Sequence, residues 1–266
     1  VPTELIAQVA GIGVLGPGLP DWPTTAAVLA GARPYVPARS VLPDPQVLPA
    51  AERRRAGEVI KLALAIGAEA TARAGAEAAQ LPSVFSSSGG DGENCHRICE
   101  TLASADRRLS PTRFHNSVHN AAAGYWSIAH QATPAFTALC AFDASFAAGL
   151  LEAVTQVAIG NTPVLLLAYD TDYPPPMHAL RPVPDALGIA MVLAPISSAA
   201  APAATLRLSL RSAPGDTLSD PAFETLRRAI PAARGLPLLH ALARGEARRV
   251  LLDYLDATSL AVDVSP

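Results

Sequence analysis

Cys140 is the residue of this 266-residue chain best suited to act as a nucleophile, because it follows an apolar run at 135–139 and precedes a helical pattern at 145–159. A thiol near a helix N-terminus can have its pKa lowered enough to become a thiolate. An inert core thiol is an equal reading, since free cysteine is among the most commonly buried residue types. Asp143 and Ser145 fall where a cap for that helix is expected. If Cys140 were the nucleophile of an acyltransferase or thioesterase, His115, His119 or His130 would have to serve as its base. His115 and His119 are four apart, as are Cys95 and Cys99, a spacing at which one helix face can share a metal. A zinc site needs about four ligands. Capping and core hydrogen bonds therefore explain the histidines, two half-buried thiols explain the cysteines, and no metal is expected.

Gly11-Ile12-Gly13-Val14-Leu15-Gly16 matches the dinucleotide-binding pattern literally. In that pattern the glycines open a helix whose N-terminus receives the pyrophosphate. Here Pro17, Gly18 and Pro20 prolong a turn instead, and no second strand ending in an acidic residue follows at the expected distance. No nucleotide, and no other cofactor, is expected.

The elements that must position these residues read as a βαβ rhythm. A short strand at 5–9 ends in the glycine turn, and Asp21 caps a helix through Leu29 with Pro23 in its first turn. The prolines of 34–49 make a loop, after which Glu52 opens a long helix whose apolar face carries Ala56, Val59, Ile60, Ala63, Ile66 and Ala70. Strands at 83–87, 135–139, 164–169, 187–193 and 206–210 alternate with helices at 94–102, 121–130 and 145–159. Val164-Leu165-Leu166-Leu167 is apolar on both faces, as in a sheet covered by helices on both sides. After Ser212 the pattern predicts helices at 223–230 and 247–255 and a last strand at 260–264. A soft boundary near Ala200 divides the chain into 1–200 and 201–266.

Half of the residues are hydrophobic, enough for a substantial core. Twenty basic and 23 acidic residues give a formal charge of −3 and no basic stripe, which argues against nucleic acid as a partner. Three cysteines are too few for a disulfide framework, so a reducing, cytoplasmic setting is the simpler expectation. No basic segment precedes 5–9, so no signal peptide is visible. The uncharged stretch 187–204 raises the question of a membrane span, but Pro195, Ser197, Ser198 and the alanines fit a buried strand and an Ala/Pro linker better.

Taken together, the segments resemble the N-terminal half of the β-ketoacyl synthases, members of the thiolase-like superfamily, over about the first 200 residues. The resemblance lies in Ala10-Gly11-Ile12-Gly13-Val14-Leu15-Gly16-Pro17, in Leu29-Ala30-Gly31, and in Arg53-Arg54-Arg55 leading into Lys61-Leu62-Ala63-Leu64-Ala65. It continues in Val84-Phe85-Ser86-Ser87-Ser88-Gly89-Gly90 and from Thr133-Pro134-Ala135-Phe136-Thr137 through Gly160. It implies a layered α/β fold of the αβαβα type, limited to its N-terminal half with a short C-terminal completion.

The resemblance also identifies what is missing. Counting back from Gly160 puts the family's cysteine at Asp143, and counting forward from Pro134 puts it at Phe142; Cys140 misses by two or three residues. The family's catalytic histidines, in a His-Gly-Thr segment and a later Gly-His segment, have no counterpart here. A condensing enzyme needs a thiolate for the acyl chain and histidines for malonyl decarboxylation. Such losses resemble the chain-length factors, non-catalytic subunits that pair with an active ketosynthase and shape its acyl tunnel. Segments 110–129 and 139–149 look closest to the short ketosynthase-like proteins of aryl polyene and xanthomonadin-type pigment clusters. The implied partners are an active β-ketoacyl synthase, in a heterodimer, and an acyl carrier protein. Phe142, Asp143 and Phe146 are the acyl-tunnel candidates, with ordinary core aromatics as the alternative for the two phenylalanines. His115, Asn116, His119, Asn120, Tyr125 and Trp126 are the interface candidates. A self-associating scaffold without an acyl role, homodimeric in isolation, is the remaining reading.

Overall fold

The computed structural model describes residues 4–196 and 202–266. The strands are β1 (Leu5–Leu15), β2 (Ser83–Ser86), β3 (Phe136–Leu139), β4 (Val164–Asp170), β5 (Leu187–Ala194), β6 (Ala204–Arg211), β7 (Arg248–Leu255) and β8 (Thr258–Ser265). The helices are α1 (Trp22–Leu29), α2 (Ala50–Arg53), α3 (Glu58–Ala74), α4 (Gly92–Ala103), α5 (Pro111–His115) and α6 (Ala121–His130), then α7 (Ser145–Gly160), α8 (Met177–Leu180), α9 (Pro221–Ala229) and α10 (Leu236–Arg244). All eight strands form one sheet in the order β3-β2-β4-β5-β1-β6-β8-β7. The β2 pairings with β3 and β4 are parallel and the others antiparallel.

β4 is buried on both faces, as its apolar run requires. Leu165, Leu167 and Tyr169 face a core built with α3 and α6. Leu166 and Ala168 face a second core that contains α7 and residues of α1, α9 and α10. The expected α/β class with helices on both faces is therefore observed. The boundary expected near Ala200 and the Ser197-Ser198 pair lie outside the described residues. Beyond them, β6 pairs with β1, so β6, β8 and β7 extend the same sheet, and α7 touches both β2 and β7. The segment Phe142–Gly160 is long and apolar enough to cross a membrane by length and composition, but Phe146, Leu150, Val154 and Val157 are buried in the core, which accounts for its apolarity.

Three expectations change. β1 does not stop at Val9: it runs through Gly11 and Gly13 to Leu15, with a register shift between Val9 and Gly11. The glycines let α3 lie directly on the strand, since a Cβ at Gly13 would come within 2.1 Å of the Ile66 carbonyl oxygen and one at Gly11 within 2.3 Å of that of Ala70. They sit inside a strand, so the context of a phosphate-binding turn is absent. The helix expected from Glu52 breaks into α2 and α3 around Gly57, and Ala56 lies in the break. The helix expected at 247–255 is strand β7, in which Val250 and Leu252 point inward and Arg249 stays exposed; it turns at Asp256, φ +40°, into β8. Helix α10, which precedes it, had no sequence prediction of its own.

Candidate functional site

β3 ends at Leu139, Cys140 follows, a 3₁₀ turn spans Phe142–Ala144, and α7 begins at Ser145. Ser145 fixes this strand-to-helix turn: its hydroxyl accepts the Ala141 amide at 3.0 Å and donates to the Phe142 carbonyl at 2.7 Å. From β2, the Ser86 hydroxyl donates to the Ser145 carbonyl at 2.6 Å and ties the turn to the sheet. Asp143 does not cap α7. Its carboxylate bonds Arg181 through Oδ1 and Arg234 through Oδ2, at 3.2 Å.

Phe142 has φ +52°. Among the described residues the other non-glycine positions in this region are Gln131 and Asn161, which end α6 and α7, and Asp256 in the β7–β8 turn. A bulky residue there costs about 1–3 kcal/mol. A strained strand-to-helix turn is a means by which acyl-transferring folds expose a nucleophile. Here that conformation holds a phenyl ring, 61% exposed, with the Arg181 guanidinium carbon 3.7 Å from the ring centroid. Phe146, the second residue of α7, is fully buried and packs against Gly235. The two phenylalanines among the tunnel candidates are thus unlike: one is open to solvent and one is core, while the third candidate, Asp143, is held in ion pairs.

The Cys140 thiol points back to the loop after β2, donating to the Ser88 carbonyl at 3.2 Å. His119 Nε2 lies 3.1 Å from the neighbouring Ser87 carbonyl. The other candidate bases pack against other rings: exposed His115 lies edge-on to Tyr125, and His130 lies tilted against Trp126 with centroids 4.1 Å apart, its Nε2 without a hydrogen-bond partner and its pKa lowered by burial. Cys95 and Cys99 are exposed rather than half-buried, Cys140 is exposed rather than a core thiol, and the described residues contain no group of three or more metal-ligating His, Cys, Asp or Glu side chains.

Beneath the Ser87–Ser88 loop lies Asp170, which sequence reasoning missed. Its Oδ1 accepts the Ser88 amide at 2.8 Å and the Ser88 hydroxyl at 2.7 Å, and its Oδ2 accepts the Ala232 amide at 2.9 Å. Burial pushes its pKa up to about 6 against the pull of these hydrogen bonds. Arg181 and Arg234 were missed as well, for both lie far along the chain from the turn they hold. From the turn the ion pairs continue through Arg234 to Asp253 at 2.6 Å, Asp253 to Arg227 at 2.8 Å, and Arg227 to Glu224 at 2.7 Å.

Of the interface candidates, His115 and Asn120 are exposed and His119 is partly buried. Asn116, Tyr125 and Trp126 are inside the chain. Tyr125 donates to Asn116 Oδ1 at 3.2 Å, Asn116 Nδ2 donates to the Arg55 carbonyl at 3.0 Å, and Trp126 fills the space left at Gly67. These three hold the segment in place instead of presenting it.

The sequence matches the family described as beta-ketoacyl synthase, N-terminal domain, over residues 29–254. The match leaves out β1, which was expected to carry part of the resemblance, and takes in most of the residues after 200, which were expected to carry little of it. No curated protein sequence matches the chain significantly. Among solved structures, the ketosynthase (ApeO) in complex with its chain length factor (ApeC) from Xenorhabdus doucetiae aligns with a TM-score of 0.73 at 22% identity, covering 97% of this chain and 98% of the matched one. The ishigamide ketosynthase/chain length factor aligns with a TM-score of 0.72 at 14% identity, covering 97% and 98%. A β-ketoacyl synthase from Burkholderia phymatum STM815 aligns with a TM-score of 0.63 at 16% identity, covering 92% of this chain and 71% of that one. At these identities the structures speak to the fold, which they share with the sheet and helices described above, and the sequence match spans most of the chain: this protein belongs to the β-ketoacyl synthase N-terminal domain family.

Proposed function

We propose that this chain is a non-catalytic, chain-length-factor-type subunit that pairs with an active β-ketoacyl synthase and sets the length of an acyl chain held on a carrier protein. The observation that carries the reading is Phe142: a phenyl ring on the strained turn where a nucleophile is expected, followed by an aspartate committed to ion pairs. Covered by a partner subunit, a large aromatic ring at that point would set the depth of an apolar pocket formed between the two chains. The Cys140 thiol donates away from the turn, toward the Ser88 carbonyl, which disfavours it as the acyl-accepting group.

For the partner surface we assign the free edge of β3, with Phe136 38% exposed, together with exposed His115 and Asn120 near α6. An open edge next to apolar side chains is a template for strand pairing. In the reconstituted pair, Phe142→Ala lengthens the product. A correctly folded Phe142→Ala variant that leaves chain length unchanged removes Phe142 from the role.

A further inference from the structure

We infer that Arg181 is a specificity-determining residue of this subunit, a latch that holds the Phe142 ring in place and so fixes how far the acyl chain extends. The inference rests on the reading of Phe142 as the wall that sets chain length.

Phe142 belongs to neither apolar core, and at 61% exposure its ring is not held by internal packing. Arg181 supplies the contact that holds it, with the guanidinium lying 3.7 Å over the ring face. The same guanidinium bonds Asp143, whose second oxygen is fixed by Arg234, so Arg181 is oriented by an anchored carboxylate as well as by the ring. Its main chain is pinned too: the Arg181 amide donates to the Met177 carbonyl at 2.9 Å, and the Arg181 carbonyl accepts the Val183 amide at 2.9 Å. Only the side chain is left to move.

A lone guanidinium beside an apolar chain would be costly. Here the cations Arg181, Arg234 and Arg227 are matched by the anions Asp143, Asp253 and Glu224, so the linked network is neutral as a whole. Leu180, the residue before the latch, is 91% exposed. A planar guanidinium can stack on a ring while bonding a carboxylate, and a lysine cannot reproduce both contacts.

The test uses the reconstituted heterodimer with hexanoyl- and malonyl-loaded carrier protein, reading product length by mass spectrometry and assembly by size-exclusion chromatography. Arg181→Gln is expected to shift the main product longer by at least one two-carbon unit. Arg181→Lys, which keeps the charge opposite Asp143 and loses the planar stack, is expected to give a smaller shift in the same direction, and decides the matter if the glutamine variant fails to assemble. Unchanged product length in the assembled Arg181 variants, with Phe142→Ala still lengthening the product, would overturn the latch alone. Unchanged length in Phe142→Ala as well would overturn the wall on which it rests.

Discussion

The Asp170 carboxylate accepts the Ala232 amide at 2.9 Å, so the end of β4 is fastened to the 3₁₀ turn Pro231–Gly235 in the C-terminal third. The other carboxylate oxygen holds the Ser88 loop that receives the Cys140 thiol. One buried side chain thus connects the loop beside the strained turn with the segment that carries Arg234. Asp170→Asn replaces an acceptor with a donor among groups that are already donors, and should destabilise the protein by about 3 kcal/mol in denaturant unfolding.

The same residue gives a pH signature. Burial raises its folded pKa from 3.8 to about 6, so the native state holds the proton more tightly than the unfolded chain. Its contribution is therefore fully present below the unfolded pKa and is lost as pH rises through the folded one. Between pH 4.5 and 6.5 the stability of the wild type relative to Asp170→Asn should fall by about 2 kcal/mol. Parallel pH profiles for the two proteins would show that Asp170 does not titrate in this window.

The α3–β1 contact predicts a contrast between glycines. Gly13→Ala must push a methyl group against the Ile66 backbone and should cost about 3 kcal/mol, or prevent folding. Gly124→Ala, on α6 with nothing within 4 Å of the new atom, should stabilise by about 0.5–1 kcal/mol through helix propensity. Thermal melts of the two variants read both effects, and equal shifts would contradict the close helix–strand contact.

The free β3 edge makes a prediction about association. Phe136→Asp puts a charge on the sheet edge and should weaken pairing with the ketosynthase at least tenfold, while the isolated chain still folds with a lowered melting temperature from loss of the edge-on contact with Phe85. Pairing of undiminished affinity would move the interface elsewhere.

Sequence periodicity revealed the layered class because β4 and β5 are apolar on both faces and α3 and α7 carry apolar faces at helical spacing. It misread β1, since Gly11 and Gly13 signal a turn locally and only the approach of α3 explains them inside a strand. It misread 247–255 because Val250, Leu251 and Leu252 fit either period, and the deciding fact is the pairing with β8, which is tertiary. At the site, counting along the chain pointed to Phe142 or Asp143, and what the sequence could not show is how the two differ: φ is +52° at Phe142, and Asp143 belongs to an ion-pair chain. Asp170, Arg181 and Arg234 were illegible because their partners lie dozens of residues away. The inward-facing Tyr125 and Trp126 were illegible as such, since an aromatic pair on a helix looks the same in sequence whether it faces a partner or a core.

Whether this subunit condenses acyl chains or only assists a ketosynthase is decided by a condensation assay with malonyl- and acyl-carrier protein, run on this chain alone, on the cognate ketosynthase alone, and on the two co-expressed. Activity is expected only in the pair, retained when Cys140→Ala is introduced here and abolished when the ketosynthase loses its own cysteine. Acyl transfer by this chain alone, eliminated by Cys140→Ala, would contradict that expectation.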